Sequence, residues 1–527
     1  MALGRWKAPV EITRSERYIL KRCQNKRRLF AFLREHRHEI FDDAIEDELD
    51  AMYRDTGAGL PPHPPAMMAM ALILQGYHRV SDADAVELSV LDLRWQMVLN
   101  LLGSTEPAFS QGALFEFRER LISNDMDRRL LERTAEIARK SGGFDGRKLP
   151  KTLRVAIDSS PLEGAGRVED TINLIGHAAR KVVVCAAELL DRDFARVCKE
   201  AGIPLLLETS VKKALDRDWS DPRQKGEAVD LLAKQVLSLE RWLEKHLAEQ
   251  VKQPPLKTLV AVLDQLVVQD LEPDPEGGPG VRVAEQVAKD RRVSIEDGEM
   301  RHGRKTKSKR FNGYKRHVAT DMASDAILAC AVTPANHAEH EALAPLKSDI
   351  TRQGLRIGEA HFDRGYMGSE AVPEIEREGG EIVCKPWRTQ NGELFAKDDF
   401  TLNLRAMTII CPAGEVQDIK LGQSVEFPAK TCDHCVLRDQ CTTASLGHGR
   451  SVSIGEDERL QQRLRKAAKA PAGRQRFRQR VAVEHRLAHL GYRQGRRARY
   501  RGVRKNLFDT RRAAAIQNLE TAQRKAA

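Results

Sequence analysis

An apolar, strand-like run ends in an acid at Leu153-Arg154-Val155-Ala156-Ile157-Asp158 (LRVAID). A second run of the same kind, Ile357 to Phe362, leads directly to Asp363. Short apolar runs bounded by polar residues are typical of strands in a buried sheet. The pattern therefore predicts two core strands with a carboxylate at the end of each.

A third acid, Glu484, lies in a stretch with helical spacing. Val481, Leu487 and Ala488 share its face because they lie three or four residues away from it. We therefore expect Glu484 on a helix that faces the core. An unpaired carboxylate on an apolar face is costly, so each of the three acids should face a cation.

Three converging acids suit chemistry on a phosphodiester. Such chemistry needs an activated oxygen nucleophile and a stabilised leaving oxygen, and a pair of Mg²⁺ ions held by carboxylates supplies both. In this interpretation Asp158 bridges the two ions, Asp363 holds one of them and Glu484 completes the other. Simpler roles stay open for single residues, because Asp363 could serve in a turn and Glu484 in a salt bridge to an arginine.

Further strand and helix signals surround the two acid-bearing runs. The predicted strands are Lys181 to Ala187 (KVVVCAA), Tyr314 to Thr320, Ala326 to Thr333 and Glu381 to Lys385, and the predicted helices are His340 to Ile350 and Ser369 to Glu378. Strands followed by alternating helices and strands indicate an α/β core.

The remaining chain is predicted to be mostly helical. In residues 1–145, Ser81 is a predicted N-cap for a helix from Asp82 to Leu102, with Asp84 at the capping-box position. Amphipathic runs from Gly226 to Leu247 and from Leu256 to Leu271 predict a helical insertion within the sheet domain. The N-terminal helices fit a module that binds DNA ends, and a purely structural bundle fits them as well.

Positive charge is concentrated in two segments. The net charge of +11 includes residues 459–512, with 19 Lys and Arg against two acids, and the segment Arg301 to Arg316, with eight cations and no acid. Such segments are typical of nucleic-acid binding, although a solvated basic face or a disordered tail is an alternative. The cations that we expect to contact DNA are Arg304, Lys305, Lys307, Lys309, Arg310, Lys315, Arg499, Arg501, Arg504 and Lys505.

Length and hydropathy limit the class of protein. A chain of 527 residues allows several domains, and its longest apolar stretch, Met67 to Leu74, is too short to cross a bilayer. The N-terminus lacks the apolar segment of a signal peptide. We expect a cytoplasmic protein, associated with the nucleoid and without a membrane partner.

Four of the nine cysteines, Cys411, Cys432, Cys435 and Cys441, form a cluster in the sequence. A Cys-x₂-Cys pair with two further thiols nearby suits a tetrahedral structural Zn²⁺ that has no open coordination position. Free thiols are the alternative, and His434 or His448 could replace one of the ligands.

Five stretches, in this order, resemble bacterial insertion-sequence transposases of the DDE class. They are Val155 to Ser160 (VAIDSS), Gly166 to Leu174 (GRVEDTINL), Arg301 to Asp321 (RHGRKTKSKRFNGYKRHVATD), His361 to Gly368 (HFDRGYMG) and Val483 to Asn518. The resemblance runs from about residue 15 to residue 520 and includes the branch of the family that carries a cysteine-bearing insertion.

The resemblance implies a ribonuclease H-like α/β core with an N-terminal all-α domain, a helical insertion and a small zinc-ribbon-like insertion. It assigns Asp158, Asp363 and Glu484 as the acids that bind Mg²⁺ or Mn²⁺, two ions per active site, and Arg499 and Arg501 as phosphate contacts. The implied division is 1–145 for the N-terminal helical domain, 146–187 for the first part of the core, 188–300 for the helical insertion, 301–405 for the second part of the core, 406–450 for the cysteine-rich zinc insertion and 451–527 for the C-terminal part of the core with its basic segment.

The implied reaction is excision and insertion of a DNA segment. Water cuts the strand at the element's end, and the freed 3′-hydroxyl then attacks target DNA at the same acids. The implied partners are double-stranded DNA and a second copy of the chain, in a homodimer on paired ends. Two other functions stay open, namely a catalytically inactive DNA-binding regulator or domesticated relic, and a metal-dependent nuclease without strand transfer.

Overall fold

A computed structural model describes residues 5–53, 62–141, 149–273, 280–306 and 308–526. Its helices are α1 (Arg14–Lys26), α2 (Arg28–Ile40), α3 (Asp43–Asp50), α4 (Pro65–His78), α5 (Asp82–Leu91), α6 (Leu93–Leu99), α7 (Gln111–Ser123), α8 (Met126–Lys140), α9 (Thr171–Leu189), α10 (Phe194–Glu200), α11 (Val211–Leu215), α12 (Pro222–His246), α13 (Leu256–Asp270), α14 (Leu343–Arg352), α15 (Ala371–Arg377), α16 (Ala429–Asp433), α17 (Arg438–Cys441), α18 (Glu458–Lys469), α19 (Pro471–Arg478), α20 (Val481–Gln494) and α21 (Val503–Ala526). Its strands are β1 (Thr152–Glu163), β2 (Leu271–Pro273), β3 (Val281–Val283), β4 (Arg301–Arg304), β5 (Arg310–Asp321), β6 (Ile327–Pro334), β7 (Arg356–His361), β8 (Glu381–Val383), β9 (Thr401–Asn403), β10 (Thr408–Ile410), β11 (Val416–Asp418), β12 (Ser424–Glu426) and β13 (Ser451–Ser453).

The central sheet mixes antiparallel and parallel strands. Strand β1 lies in the middle, antiparallel to β5 and parallel to β7, while β6 and β8 extend the sheet on either side and β4 pairs with the first residues of β5. Val155, Ala156 and Ile157 are fully buried in β1. A strand that is buried on both faces needs such a continuous apolar run, so the quoted stretch is the centre of the α/β core that the sequence predicts.

The helix α21 joins the N-terminal helices to the sheet. It packs against α8, α4 and β6, and it buries Ala513, Ala514 and Ala515 in these contacts. One apolar cluster contains residues of both parts, for example Met70 from α4 and Ile357 from β7. The N-terminal helices and the central sheet therefore share one core.

The predicted helix starts in the N-terminal region agree with the structure, and one predicted length does not. Ser81 accepts a hydrogen bond from the amide of Asp84, whose carboxylate returns one to the amide of Ser81, which completes a capping box. The helix does not continue to Leu102, because Asp92 ends α5 and its side chain caps α6. An Asp within a helical stretch competes for backbone amides and favours such a break.

The predicted strand Lys181 to Ala187 is wrong, because these residues lie in α9. Val182, Val183 and Ala186 are buried, whereas Val184 is exposed, which is the spacing of a helix face. This face packs against α10, α12 and α13 in a separate apolar cluster. The strand preference of β-branched residues is weak, and burial of the helix face overrides it.

The helical insertion and the cysteine-rich segment each have their own apolar cluster, the first around α9, α12 and α13 and the second around Phe400, Ile409 and Phe427. The domain limits stay a prediction, and α9 crosses the one placed at residue 187.

Within the described ranges, no helix combines the length and the apolar character needed to cross a bilayer.

Candidate active site

The three predicted acids meet around one arginine, Arg480. Its Nη1 lies 3.3 Å from Oδ1 of Asp158, and its Nη2 lies 3.2 Å from Oδ1 of Asp363 and 3.2 Å from Oε1 of Glu484. Two oxygens that lie 3.2 Å from the same nitrogen are at most about 6.4 Å apart. Acids more than three hundred residues apart in sequence thus share one site.

Asp158 is the most enclosed of the three carboxylates, with 17% of its side chain exposed. It lies within β1, opposite Val318 of β5, and it accepts a hydrogen bond of 2.8 Å from the amide of Ser159. Burial raises the pKa of Asp158 to about 6, and the negative charges of Asp363 and Glu484 act in the same direction, while the Ser159 amide and Arg480 oppose them. A buried acid beside like charges needs a cation, because its charged form is otherwise costly.

Asp363 directly follows β7 in a tight turn that is fixed by its neighbours. The buried Tyr366 shares a hydrogen bond of 2.8 Å with Nδ1 of His317 in β5. Gly365 leaves room for Glu339, since a Cβ at this glycine would lie 2.2 Å from Oε2 of Glu339. Glu339 also accepts a hydrogen bond from Ser159, the neighbour of Asp158. Packing therefore fixes the Asp363 turn relative to β1.

Glu484 lies in the first turn of α20, and of the three residues predicted to share its buried face only Leu487 is buried. Val481 is 47% exposed, and the face that packs on the sheet consists of Val483, Leu487 and Leu490. These three residues follow helical spacing one position away from Glu484, which places the carboxylate at the rim of the buried face. The side chain of Glu484 is 51% exposed and reaches Arg480.

The guanidinium of Arg480 lies where a cation bound by all three acids would lie. Its Nη1 is buried and, within the described part of the chain, makes no hydrogen bond. Among the described residues, no group of three or more His, Cys, Asp or Glu side chains is arranged closely enough to hold a metal ion. The three carboxylates are therefore farther apart than the ligands of one bound ion. The donor set nevertheless fits Mg²⁺ or Mn²⁺, which prefer hard carboxylate oxygens.

Arg480 was not among the residues predicted for the site. The available signal was the spacing Arg480 to Glu484, since an arginine four residues before a glutamate on a helix forms an i, i+4 ion pair. The simpler role for Glu484, a salt bridge to an arginine, is therefore present together with the convergence of the three acids.

A basic cavity of about 340 Å³ adjoins Glu484. Its cationic lining consists of Lys385, Arg474, Arg478 and Arg480. These side chains place positive charge beside Glu484. The positive charge would reduce the electrostatic repulsion between the acids and the phosphates of a nucleic-acid backbone.

The predicted DNA-binding cations fall into three groups. Arg304, Lys305, Lys309 and Arg310 are exposed around the hairpin of β4 and β5. Lys307 lies outside the described residues. Lys315 is partly buried and donates to the carbonyl of His337, and Arg499 donates to the carbonyl of Val80. Arg501, Arg504 and Lys505 form ion pairs with Glu296, Asp127 and Glu119.

The four clustered cysteines line one small cavity of about 40 Å³. The amide of Glu415 donates to Sγ of Cys411 at 3.3 Å, and the amide of Leu437 donates to Sγ of Cys435 at 3.4 Å. Cys432 and Cys441 pack against the apolar cluster of the same segment. The lining of this cavity contains the four thiols and neither His434 nor His448.

Two family models match the chain. A Transposase DDE domain matches residues 405–522, and a Transposase domain (DUF772) matches residues 14–120. Over these two segments the chain is similar to transposases, and the matches support an insertion-sequence transposase of the DDE class. Comparisons with curated proteins and with solved structures give no match.

The matches connect this transposase with DNA and with the observed fold. A DDE domain implies an enzyme that acts on DNA through a ribonuclease H-like core, and the mixed α/β sheet with its helical N-terminal region agrees with such a core. The DDE match contains Glu484, whereas Asp158 and Asp363 precede it in the sequence. The N-terminal match extends from the start of α1 into α7.

Proposed function

We propose that this transposase cleaves the ends of an insertion sequence and joins the 3′-hydroxyl to target DNA at Asp158, Asp363 and Glu484. The convergence of these three acids on Arg480 is the observation that carries the proposal. Acids brought from a central strand, a strand end and a helix onto one cation form a donor set for two divalent metal ions. When bound, such ions activate the attacking oxygen and stabilise the leaving oxygen.

The chain's own residues would orient the reacting groups. We assign Asp158, the most enclosed acid, to face both ions, and Asp363 and Glu484, which are 54% and 51% exposed, to the side where DNA enters. Arg480 must leave the acids when metal binds, because both cannot lie on the same oxygens. Its guanidinium is then available for the scissile phosphate, together with Lys385 and Arg478 in the basic cavity.

The proposal is tested by nicking of supercoiled plasmid in Mg²⁺. Asp363→Asn should retain DNA binding and lose metal-dependent nicking, because an amide keeps the size of the side chain but not its charge. Glu370→Gln, which neutralises an exposed carboxylate beside α15, is the matched control and should cut normally. Undiminished nicking by Asp363→Asn would remove Asp363 from the mechanism.

Two further assays separate the alternatives. Joining of a labelled 3′ end to supercoiled plasmid distinguishes a transposase from a nuclease without strand transfer. A DNA-binding regulator would show no metal-dependent cleavage under any condition. Size measurement of the protein with and without paired ends tests the homodimer that we propose on DNA.

We also propose a structural Zn²⁺ held by Cys411, Cys432, Cys435 and Cys441. The shared cavity supports it, because four cysteine sulfurs around one small space match the ligand set of a structural zinc site. Four thiolates would leave no open position, so this ion would stabilise the cysteine-rich segment without entering the reaction. Metal analysis should find about one zinc per chain. Protein made with zinc available and purified without any zinc would refute the site.

A further inference from the structure

A second basic cavity, of about 250 Å³, lies between the N-terminal helices and the C-terminal helices. Its charged lining consists of Arg79, Arg493, Arg497, Arg499, Arg512 and Asp509, and we call it the arginine pocket. Arg79 follows α4, whereas the other residues belong to α20, to the loop after it and to α21. The pocket therefore connects the two parts of the chain that the transposase domains match.

The arginine pocket has more positive than negative charge. Asp509 pairs with Arg512, and Arg493 pairs with Glu520. Among the described residues, no carboxylate lies within 4.0 Å of the guanidinium groups of Arg79, Arg497 and Arg499.

These three arginines donate instead to backbone carbonyls. Arg79 donates to the carbonyl of Tyr492 at 3.3 Å, Arg497 to that of Ala165 at 3.0 Å and Arg499 to that of Val80. A guanidinium carries five N–H donors, so most of this donor capacity stays available to an anion.

Two glycines shape the arginine pocket. A Cβ at Gly76 would lie 3.0 Å from Nε of Arg512, and a Cβ at Gly495 would lie 2.8 Å from Nη2 of Arg79. Gly495 also has a φ of +93°, a conformation that side chains rarely adopt. Arg512 is only 7% exposed and forms the floor. Local backbone and side chains thus hold several guanidinium groups around one space.

The arginine pocket shares helix α20 with one of the three acids, Glu484. Glu484 is in the first turn of α20 and Arg493 in the last, nine residues apart, which corresponds to about 14 Å along the axis. Gln494 accepts a hydrogen bond of 2.9 Å from Arg316, which donates at 2.8 Å to Ser160, two residues after Asp158. Duplex DNA rises about 3.4 Å per nucleotide along its axis, so a distance of this size corresponds to a few nucleotides.

We propose that the arginine pocket binds one backbone phosphate of the DNA, a few nucleotides from the phosphate at the acids. The inference rests on the proposed function for its ligand. Paired guanidinium groups match the geometry of phosphate oxygens. Because α20 links the two sites rigidly, a phosphate held in the arginine pocket determines which phosphodiester reaches Asp158, Asp363 and Glu484.

The experiment compares Arg497→Gln with Arg496→Gln in the full-length protein. Arg496 is the adjacent residue in the loop, is 84% exposed, pairs with Glu163 and does not line the arginine pocket. The probes are inorganic phosphate, in thermal unfolding at constant ionic strength, and a DNA duplex, in binding at several salt concentrations. Circular dichroism confirms that both variants fold.

Phosphate should stabilise the wild type and Arg496→Gln but not Arg497→Gln. Only Arg497→Gln should bind DNA roughly five- to tenfold more weakly at physiological salt and reduce the salt slope by about one. Equal behaviour of the two variants in both assays overturns the arginine pocket. Loss of phosphate stabilisation with unchanged DNA binding overturns its assignment to DNA, leaving free phosphate as the ligand. If Arg497→Gln loses both effects in a protein that never nicks DNA, the arginine pocket stands and the proposed cleavage fails.

Discussion

Replacement of Arg480 by glutamine should make the protein bind divalent metal more tightly in the absence of DNA. The guanidinium competes with metal for three carboxylates at 3.2–3.3 Å. The two exposed pairs, with Asp363 and Glu484, contribute at most about 1 kcal/mol each, because solvent screens them. The pair with the enclosed Asp158 contributes about 1 kcal/mol or slightly more.

With about 0.5 kcal/mol for each of the two exposed pairs and about 1 kcal/mol for the Asp158 pair, the three sum to about 2 kcal/mol, which corresponds to roughly 30-fold in Kd. Calorimetric titration of the wild type and of Arg480→Gln with Mn²⁺ measures this difference. Arg478→Gln, which removes a cation from the same cavity without touching the acids, is the matched control and should change the Kd much less. An equal or weaker affinity of Arg480→Gln for metal would refute the competition between guanidinium and metal.

Three further changes test other parts of the structure. His317 is fully buried, and burial lowers its pKa to about 3. Below about pH 6.5 the unfolded chain therefore binds a proton at this histidine that the folded protein does not bind. Acidification from pH 7 to pH 5 should lower the free energy of unfolding, measured in urea, by about 2 kcal/mol through His317, and His317→Gln should lack this loss. Gly365→Ala should displace Glu339 and with it the Asp363 turn. Plasmid nicking should fall, while the affinity for DNA should not change. Asp127→Asn should reduce the free energy of unfolding by about 1.5–3 kcal/mol, because the buried Arg511 loses one of its three carboxylate partners.

Matched variants control the last two predictions. Gly368→Ala places a Cβ at an ordinary distance of 3.4 Å from His340, so it should nick plasmid normally, and equal losses in both glycine variants would contradict the role of Gly365. Asp290→Asn breaks an exposed ion pair with Arg301 and should cost less than about 1 kcal/mol. A similarly small effect of Asp127→Asn would show that Asp125 and Asp349 alone hold Arg511.

The sequence predicted the core strands and the helix caps because these depend on local patterns. The apolar run before Asp158 and the run before Asp363 have the length and composition of buried strands, and both lie in the central sheet. Ser81 and Asp84 form a local capping box that needs no partner elsewhere. Residues near each other in sequence determine such features.

Features that depend on distant contacts were missed. The strand predicted at Lys181 to Ala187 is part of a helix because neighbouring helices bury one of its faces. The convergence of Asp158, Asp363 and Glu484 was expected from a family resemblance, but the cation between them was not identified, since the sequence contains many arginines near Glu484. The arginine pocket draws residues from α4, α20 and α21, and no local pattern indicates it.

The shared core of α21 and the N-terminal helices affects the order of events during synthesis. Ribosomes release α4 and α8 long before α21, yet α21 covers their apolar surfaces in the finished protein. The apolar surfaces of the early helices therefore stay partly exposed until α21 has been synthesised. Premature stop codons upstream of α21 should leave products that chaperones and proteases recognise, so truncated chains would seldom survive to compete with the intact protein for DNA.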